Sequence, residues 1–150
     1  MIAAVYVVLT VLFAPFGFGE IQIRVSEALT ILPLFTPAAI PGLFIGCFVG
    51  NILGGAVLPD IIFGSLATLI GAIGTYLLRK RSIYIAILPP IILNAAIVPF
   101  ILRYAYSVPL PIPLMMLTVG AGEVISCGIL GIILSKGLNK ASVIKEKEKK

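Results

Sequence analysis

The sequence predicts an all-α integral membrane protein: a single domain, residues 1–150, built as a bundle of six transmembrane helices with both termini in the cytoplasm. Hydrophobic residues make up 60% of the chain, and the mean hydropathy is +1.19. Soluble domains contain roughly 45–50% apolar residues, so one soluble core could not bury this many apolar side chains. The basic residues concentrate at residues 79–81 and in the tail, 136–150. Such clusters are typical of the cytoplasmic ends of membrane spans and need no nucleic acid to explain them.

Six apolar segments account for the predicted spans. A crossing takes about 20 apolar residues, with a range of roughly 17–25, and five segments meet this length. They are residues 1–18, 40–58, 61–78, 83–102 and 111–135. The sixth, residues 27–39, is shorter and contains two prolines, but a short helix within a bundle need not match the bilayer thickness. If it crosses, as we expect, residues 20–27 face the outside; if it is re-entrant, the N-terminus and this stretch change sides.

Small residues and prolines predict how two of these helices pack. Glycines recur at every fourth residue from Gly42 to Gly54, which places them on one helix face where another helix can approach closely. That neighbour could belong to this chain or to another subunit. Three prolines interrupt residues 83–102, so we expect that helix to bend near Asn94.

Ionisable and amide side chains within the spans are the candidate site residues, because such groups are costly at membrane depth. Glu123 lies in the interior of the last span, Asn51 in the third and Asn94 in the fifth. The alternative for Glu123 is a structural hydrogen bond or an ion pair with Arg24 or Arg103. Interhelical hydrogen bonds explain the two asparagines equally well.

A compact group of charges precedes the short segment, where Glu20, Arg24 and Glu27 lie within eight positions. Glu27 follows Ser26, a candidate N-cap, and the helix dipole alone can explain an acidic residue there. Apolar residues alternate over 21–25, which predicts an extended stretch. We expect this stretch to lie across the mouth of a polar pocket that opens towards the outside.

Three further residues lie at the predicted outer ends of spans. Asp60 is interpreted as a boundary residue without a role in the pocket. Tyr104 and Tyr106 precede the last span and are interpreted either as aromatic residues of the membrane interface or as lid residues.

Several chemistries are excluded by residues that the chain lacks. It has no histidine and a single aspartate, which removes Ser–His relays, histidine-based zinc sites and paired-aspartate proteases. It has no P-loop motif, so it does not bind ATP by that route. Cys47 and Cys127 lie singly in apolar runs and are interpreted as small buried hydrophobic residues. No catalytic site, metal site or cofactor is therefore expected, and binding or transport remains.

The stretch EIQIRVSEALT, residues 20–30, closely resembles the signature of the QueT family, the substrate-binding S components of energy-coupling factor (ECF) transporters. That family has an I-Q-[FI]-R-[VI]-S-E-A-L-T stretch after its first helix, and residues 21–30 match it throughout. The glycine-rich third span with Asn51 agrees with the family, as do the length and the plan of spans. The resemblance covers essentially the whole chain.

The resemblance implies the six-helix S-component fold, as a multi-pass protein of the cell membrane. It implies capture of a queuosine precursor, such as 7-aminomethyl-7-deazaguanine, from the outside. The implied partners are membrane lipid, a membrane scaffold subunit and two ATPase subunits, which agrees with the missing P-loop. S components meet their scaffold through an AxxxA pattern on the first helix, but here Val7 and Val8 follow Ala3 and Ala4.

A deazaguanine ligand also suits the candidate residues chemically. Its N–H and amino group form a donor pair that one carboxylate accepts, and its aminomethyl group is a cation near neutral pH. Glu27 and Glu123 could divide these two tasks, while Arg24 braces a glutamate or a loop. The expected substrate-binding residues are Gln22, Arg24, Glu27, Asn51, Asn94 and Glu123, with Tyr104 and Tyr106 as lid residues.

Two alternatives to this function remain at the level of the sequence. One is an S component of the same fold that binds another vitamin-like molecule. The other is a non-transporting membrane helix bundle that uses its glycine face for assembly and Glu123 for structure.

Overall fold

The computed structural model describes residues 1–17 and 22–148, with side chains described up to residue 142. The described part of the chain is helical and has no strand, which confirms the predicted all-α class. Glu20 and Ile21 lie outside the described residues. The α-helices are α1 (Ile2–Leu12), α2 (Ala39–Leu53), α3 (Asp60–Leu77), α4 (Ile83–Tyr104) and α5 (Ile112–Ser142), and a 3₁₀ helix, Val25–Leu34, lies between α1 and α2.

Three of these helices, α3, α4 and α5, are long and apolar enough to cross a membrane. The other three are apolar but shorter, with 11 residues in α1, 10 in the 3₁₀ helix and 15 in α2. Together they follow the order of the six predicted segments. The helical path of α5 continues to Glu148, so the described part of the basic tail extends the last helix.

The 3₁₀ helix lies where the sequence predicts a short helix over residues 27–39, but its ends differ from that prediction. It begins at Val25 and ends at Leu34. The expected cap by Ser26 is wrong, because Arg24 holds the N-cap position and Ser26 Oγ instead accepts a hydrogen bond from Thr10, at 3.0 Å. A 3₁₀ helix rises about 2.0 Å per residue, against about 1.5 Å for an α-helix, so this winding carries ten residues farther through the bundle.

The glycine face of α2 packs against α1, so the neighbour that the sequence leaves open belongs to this chain. A Cβ built on Gly46 would lie 2.7 Å from Cβ of Tyr6 and 3.1 Å from Cα of Ala3. One built on Gly50 would lie 3.1 Å from Oγ1 of Thr10. Side chains at these positions would push the helices apart, so the glycines allow the close contact that brings Tyr6 into the core.

Two of the three prolines of α4 occupy positions that suit their missing N–H groups, while Pro99 lies inside the helix. The helix is interrupted at Ile87, and Pro89 and Pro90 then lie in the first turn of the continuing segment. Amide hydrogens are not needed for intrahelical bonds in that turn. Gly71 and Gly74 of α3 receive the two rings, since a Cβ on either glycine would lie 3.0 Å or less from them. The interruption at Ile87 thus directly precedes the two prolines that form the contact with α3.

The core lies between α1, α2, α3 and the 3₁₀ helix, where Tyr6, Leu29, Leu43, Cys47 and Ala72 pack together. Both cysteines are free and buried, as the sequence predicts. Many large apolar side chains face outwards instead, with Leu77 and Leu117 more than 70% exposed. Such a surface suits hydrocarbon rather than water, in agreement with a membrane protein.

Candidate functional site

The polar residues singled out from the sequence are drawn together inside the bundle. Each of them is at most 7% exposed, although they come from five different parts of the chain. The residues concerned are Gln22, Arg24, Glu27, Asn51, Asn94 and Glu123. They form two adjoining groups: a carboxylate pair, Glu27 and Glu123, and an ion-pair cluster centred on Arg24.

The carboxylate pair joins the 3₁₀ helix to α5. A carboxylate oxygen of Glu27, one of Glu123 and the sulfur of Cys127 all lie within 4.8 Å of one another. Glu123 is placed where α5 changes from α-helical to π-helical winding, over Val124–Leu130. Such π-helical turns often occur at functional sites, because the wider winding redirects the side chains beside it. The result is two acidic groups side by side in the interior of the bundle.

The hydrogen bonds around Glu27 hold one of its oxygens and leave the other available. Tyr6 donates its hydroxyl hydrogen to Oε1, and Thr68 lies 3.4 Å from the same atom. No donor reaches Oε2 within the described part of the chain. A buried carboxylate oxygen without a donor is costly, so this atom is suited to accept a hydrogen bond from a ligand.

Glu123 has a similar environment on the opposite side of the pair. Cys127, one turn later on α5, donates to Oε2 at 3.2 Å. Asn94 of α4 lies close enough to act on the same carboxylate. A thiol is a weak donor, so the main effect of this contact is to orient the carboxyl group of Glu123.

The ion-pair cluster consists of Arg24, Asp60 and Tyr106. Nη2 of Arg24 donates to both carboxylate oxygens of Asp60, at 3.2 and 3.1 Å. Tyr106 donates its hydroxyl hydrogen to Oδ2 of Asp60 at 3.0 Å. The side-chain amide of Asn51 donates to the backbone carbonyl of Asp60 at 3.3 Å. Asp60 therefore connects the segment before the 3₁₀ helix with α2, α3 and the loop between α4 and α5.

Two expectations about charged residues are corrected by this cluster. Asp60 is not a boundary residue, because it is 1% exposed and forms an ion pair. Arg24 pairs with Asp60 rather than with Glu123, and Arg103 donates to the carbonyl of Val108 instead. The signal that could have found Asp60 is its type: the only aspartate of an apolar chain lies directly before a predicted span, 61–78.

The two lid candidates differ in where the structure places them. Tyr106 is about half-buried, and burial followed by the negative charge of Asp60 raises the pKa of its hydroxyl to about 12. It therefore remains a hydrogen-bond donor at any physiological pH. Tyr104 is 76% exposed and has no described contact with the polar residues.

The stretch before the 3₁₀ helix lies directly on α5. Its backbone at Arg24 is extended, with φ −89° and ψ 94°, as the alternating pattern predicts. A Cβ on Gly122 would collide with the backbone carbonyl oxygen of Gln22. Because Gly122 has no side chain, the backbone of Gln22 can lie directly on α5, one residue before Glu123 in the chain.

An apolar groove on the surface of the described structure is a separate feature, and the lid candidate Tyr104 lies on it. It has a volume of about 500 Å³ and is lined by apolar residues of α4 and the start of α3, including Phe63, Ile97 and Phe100. None of the predicted substrate-binding residues lines it. The predicted substrate-binding residues are instead buried in the interior of the bundle.

Comparison with known proteins places the chain among transporters. The profile of a family described as QueT transporter matches residues 1–140. A protein of Lactococcus lactis subsp. cremoris (strain MG1363), named queuosine precursor transporter QueT, is 38% identical over 72 residues. That alignment covers 47% of this chain and 42% of the relative, so it spans less than half of either. No solved structure matches the chain.

Gly122→Ala is expected to displace Gln22 from α5, because the added methyl group meets backbone. Gly120→Ala is the matched control, since Cβ of Ala95 is the only described atom near its new methyl group, at 3.6 Å. The measurement is the rate at which a maleimide labels Gln22→Cys in each background. An overpacking cost of about 1–3 kcal/mol corresponds to labelling that is roughly 5- to 150-fold faster with Gly122→Ala. Equal rates in the two backgrounds would contradict the close contact.

Proposed function

Because this chain belongs to the QueT transporter family, we propose that it is the substrate-capturing S component of an ECF-type importer. Its substrate would be a queuosine precursor, the class named for its relative from Lactococcus, taken up from the extracellular side. The family is a transporter family and not an enzyme family, in agreement with the non-enzymatic role that the sequence predicts. The ATP-driven step would belong to partner subunits, because the chain has no P-loop.

The observation that carries the choice of ligand is the carboxylate pair. Glu27 and Glu123 lie side by side in the interior of the bundle, and Oε2 of Glu27 has no donor among the described residues. Acidic groups at this depth attract a cation or a group with several N–H donors. The ligand 7-aminomethyl-7-deazaguanine offers both, a primary ammonium and a guanine-like donor edge.

The spacing of the pair changes the roles expected from the sequence. Two carboxylates whose oxygens lie within 4.8 Å can act together on one end of a ligand. The two carboxylates lie too close together to bind opposite ends of a bicyclic ring. We assign the ammonium group to the pair, where it can donate to Glu27 Oε2 and to Glu123. Asn94, beside Glu123, is then placed to contact the ring.

The remaining residues would complete the site around this contact. Gln22, on the stretch that packs against Gly122, would bind the ring edge from the outer side. Asn51 uses its amide group on the carbonyl of Asp60, so its oxygen is the atom that would accept from a ligand. Tyr106 would act as the lid residue through its hydrogen bond to Asp60, while Tyr104 would face the membrane interface.

The proposed topology is six spans with both termini in the cytoplasm of a cell membrane. Its support is the distribution of basic residues. The block 79–81 between α3 and α4 and the block 136–150 after α5 are separated by two long apolar helices, so both can lie on the same side. By the positive-inside rule that side is the cytoplasm.

Single cysteines at the two exposed serines of the α4 ends test this topology. Ser107→Cys, in the loop after α4, should react with a membrane-impermeant maleimide on intact cells. Ser82→Cys, at the start of α4, should react only after the membrane is permeabilised. Both serines are exposed and both native cysteines are buried, so background labelling should be low. The opposite labelling pattern would invert the proposed orientation.

Glu27→Gln and Glu123→Gln are each expected to weaken binding of 7-aminomethyl-7-deazaguanine. Loss of one charged hydrogen bond costs about 1.5–3 kcal/mol, or roughly 10- to 150-fold in dissociation constant. Calorimetry on the purified protein measures this effect. Glu146→Gln is the matched control, because it makes the same change within the basic tail. Unchanged binding by both site variants would show that the carboxylate pair is not the site.

The second candidate is an assembly protein without transport activity. Such a protein would use its small-residue helix faces to pack against partners and would need no ligand. The closest small-residue contacts of α2, however, are made with α1 of the same chain. Reconstitution distinguishes the two functions. The chain purified with its membrane scaffold and two ATPases should import labelled ligand into liposomes only with ATP, and Glu27→Gln should abolish import without releasing the partners. Failure to recover ATPase subunits from native membranes would favour the assembly role.

A further inference from the structure

The charges inside the bundle are unequally distributed between the two polar groups. Three carboxylates, those of Glu27, Asp60 and Glu123, are buried near one buried guanidinium, that of Arg24. Among the described residues, the ion pair of Arg24 is formed with Asp60 and not with either member of the carboxylate pair. Resting on the proposed function, we propose that Asp60 is a positioning residue for ligand selectivity: it holds Arg24 away from Glu27 and Glu123, so that their charge remains available to a cationic ligand.

Arg24 has a second partner within its reach. It lies three residues before Glu27, at the N-cap of the 3₁₀ helix, and its carbonyl oxygen accepts the amide hydrogen of Glu27 at 2.9 Å. Its charge also acts on both Glu27 and Glu123. In an interior of low dielectric constant, a guanidinium that loses one carboxylate partner pairs with the next one available.

Several contacts hold Asp60 in an orientation that favours its pairing with Arg24. Tyr106 donates to its carboxylate and helps to set its direction, and Asn51 donates to its backbone carbonyl and holds the backbone in place. Gly64 leaves the space for it, since a Cβ there would lie 2.8 Å from Oδ1 of Asp60. Asp60 also begins α3, where the helix dipole favours a negative charge. Nη2 of Arg24 then meets both oxygens of a carboxylate that is already oriented.

Removal of the charge of Asp60 therefore has a specific consequence. In Asp60→Asn, Arg24 is expected to turn to the carboxylate pair and to compete with the ammonium group of a ligand. A neutral ligand of the same shape gains nothing from the pair and is not subject to this competition. A purely structural role of Asp60 predicts instead an equal loss of affinity for both ligands.

The experiment compares two ligands by calorimetry on the purified full chain: 7-aminomethyl-7-deazaguanine, and 7-ethyl-7-deazaguanine as its neutral counterpart of the same shape. The ratio of the two affinities is expected to fall about 10- to 100-fold in Asp60→Asn, the effect of losing a charge-assisted contact. Asp60→Glu keeps the charge and should retain the preference for the cation. Tyr106→Phe keeps both charges of the ion pair and should change the two affinities by the same factor.

The double variant Arg24→Gln, Asp60→Asn decides between the two roles. It removes the competing cation together with its partner, so the preference for the cationic ligand should return towards the wild-type value. The double variant is compared directly with the wild-type protein, so the test can still be made if Asp60→Asn alone does not fold. A double variant that binds the cationic ligand as weakly as Asp60→Asn overturns the inference, and so does an equal loss for both ligands in Asp60→Asn. A wild-type protein that binds neither ligand refutes the proposed function itself, and the inference with it.

Discussion

A charge inside a membrane bundle needs a partner, and the Arg24–Asp60 ion pair meets this requirement where distant parts of the chain converge. Arg24 belongs to the stretch before the 3₁₀ helix, Asp60 begins α3, and Tyr106 comes from the loop between α4 and α5. Their contacts hold the stretch 22–24 over the interior of the bundle. The ion pair thereby ties the segment that leads into the 3₁₀ helix, and with it Glu27, to α3.

Close backbone contacts make the same arrangement possible. Gly122 lets the backbone of Gln22 lie on α5, and Gly46 lets α1 approach α2 closely enough for Tyr6 to reach Glu27. In a bundle without a strong hydrophobic driving force between helices, such contacts are a main source of packing energy. Packing and site are therefore linked, because glycines that bring helices together also bring the polar groups together.

Much of the site could be predicted because polar groups are conspicuous in an apolar chain. Glu123, Asn51 and Asn94 are candidates on that ground, Glu27 is one through the charge cluster and the family motif, and all four are buried. Asp60 was missed, since a carboxylate near a span end has an ordinary explanation at the membrane surface. Its role depends on the direction of its side chain and on Arg24, 36 residues earlier in the chain, and neither follows from local composition.

The sequence by itself determined the all-helical membrane class, the order of the apolar segments and the residue types available for binding. These properties follow from hydropathy and composition, which act locally along the chain. The tertiary structure alone decided that Glu27 and Glu123 lie side by side, that Arg24 pairs with Asp60, and that the glycine face of α2 meets α1. Such pairings depend on how helices rotate about their axes and on how closely their backbones approach. Those quantities are set by contacts between distant residues, which no local pattern contains.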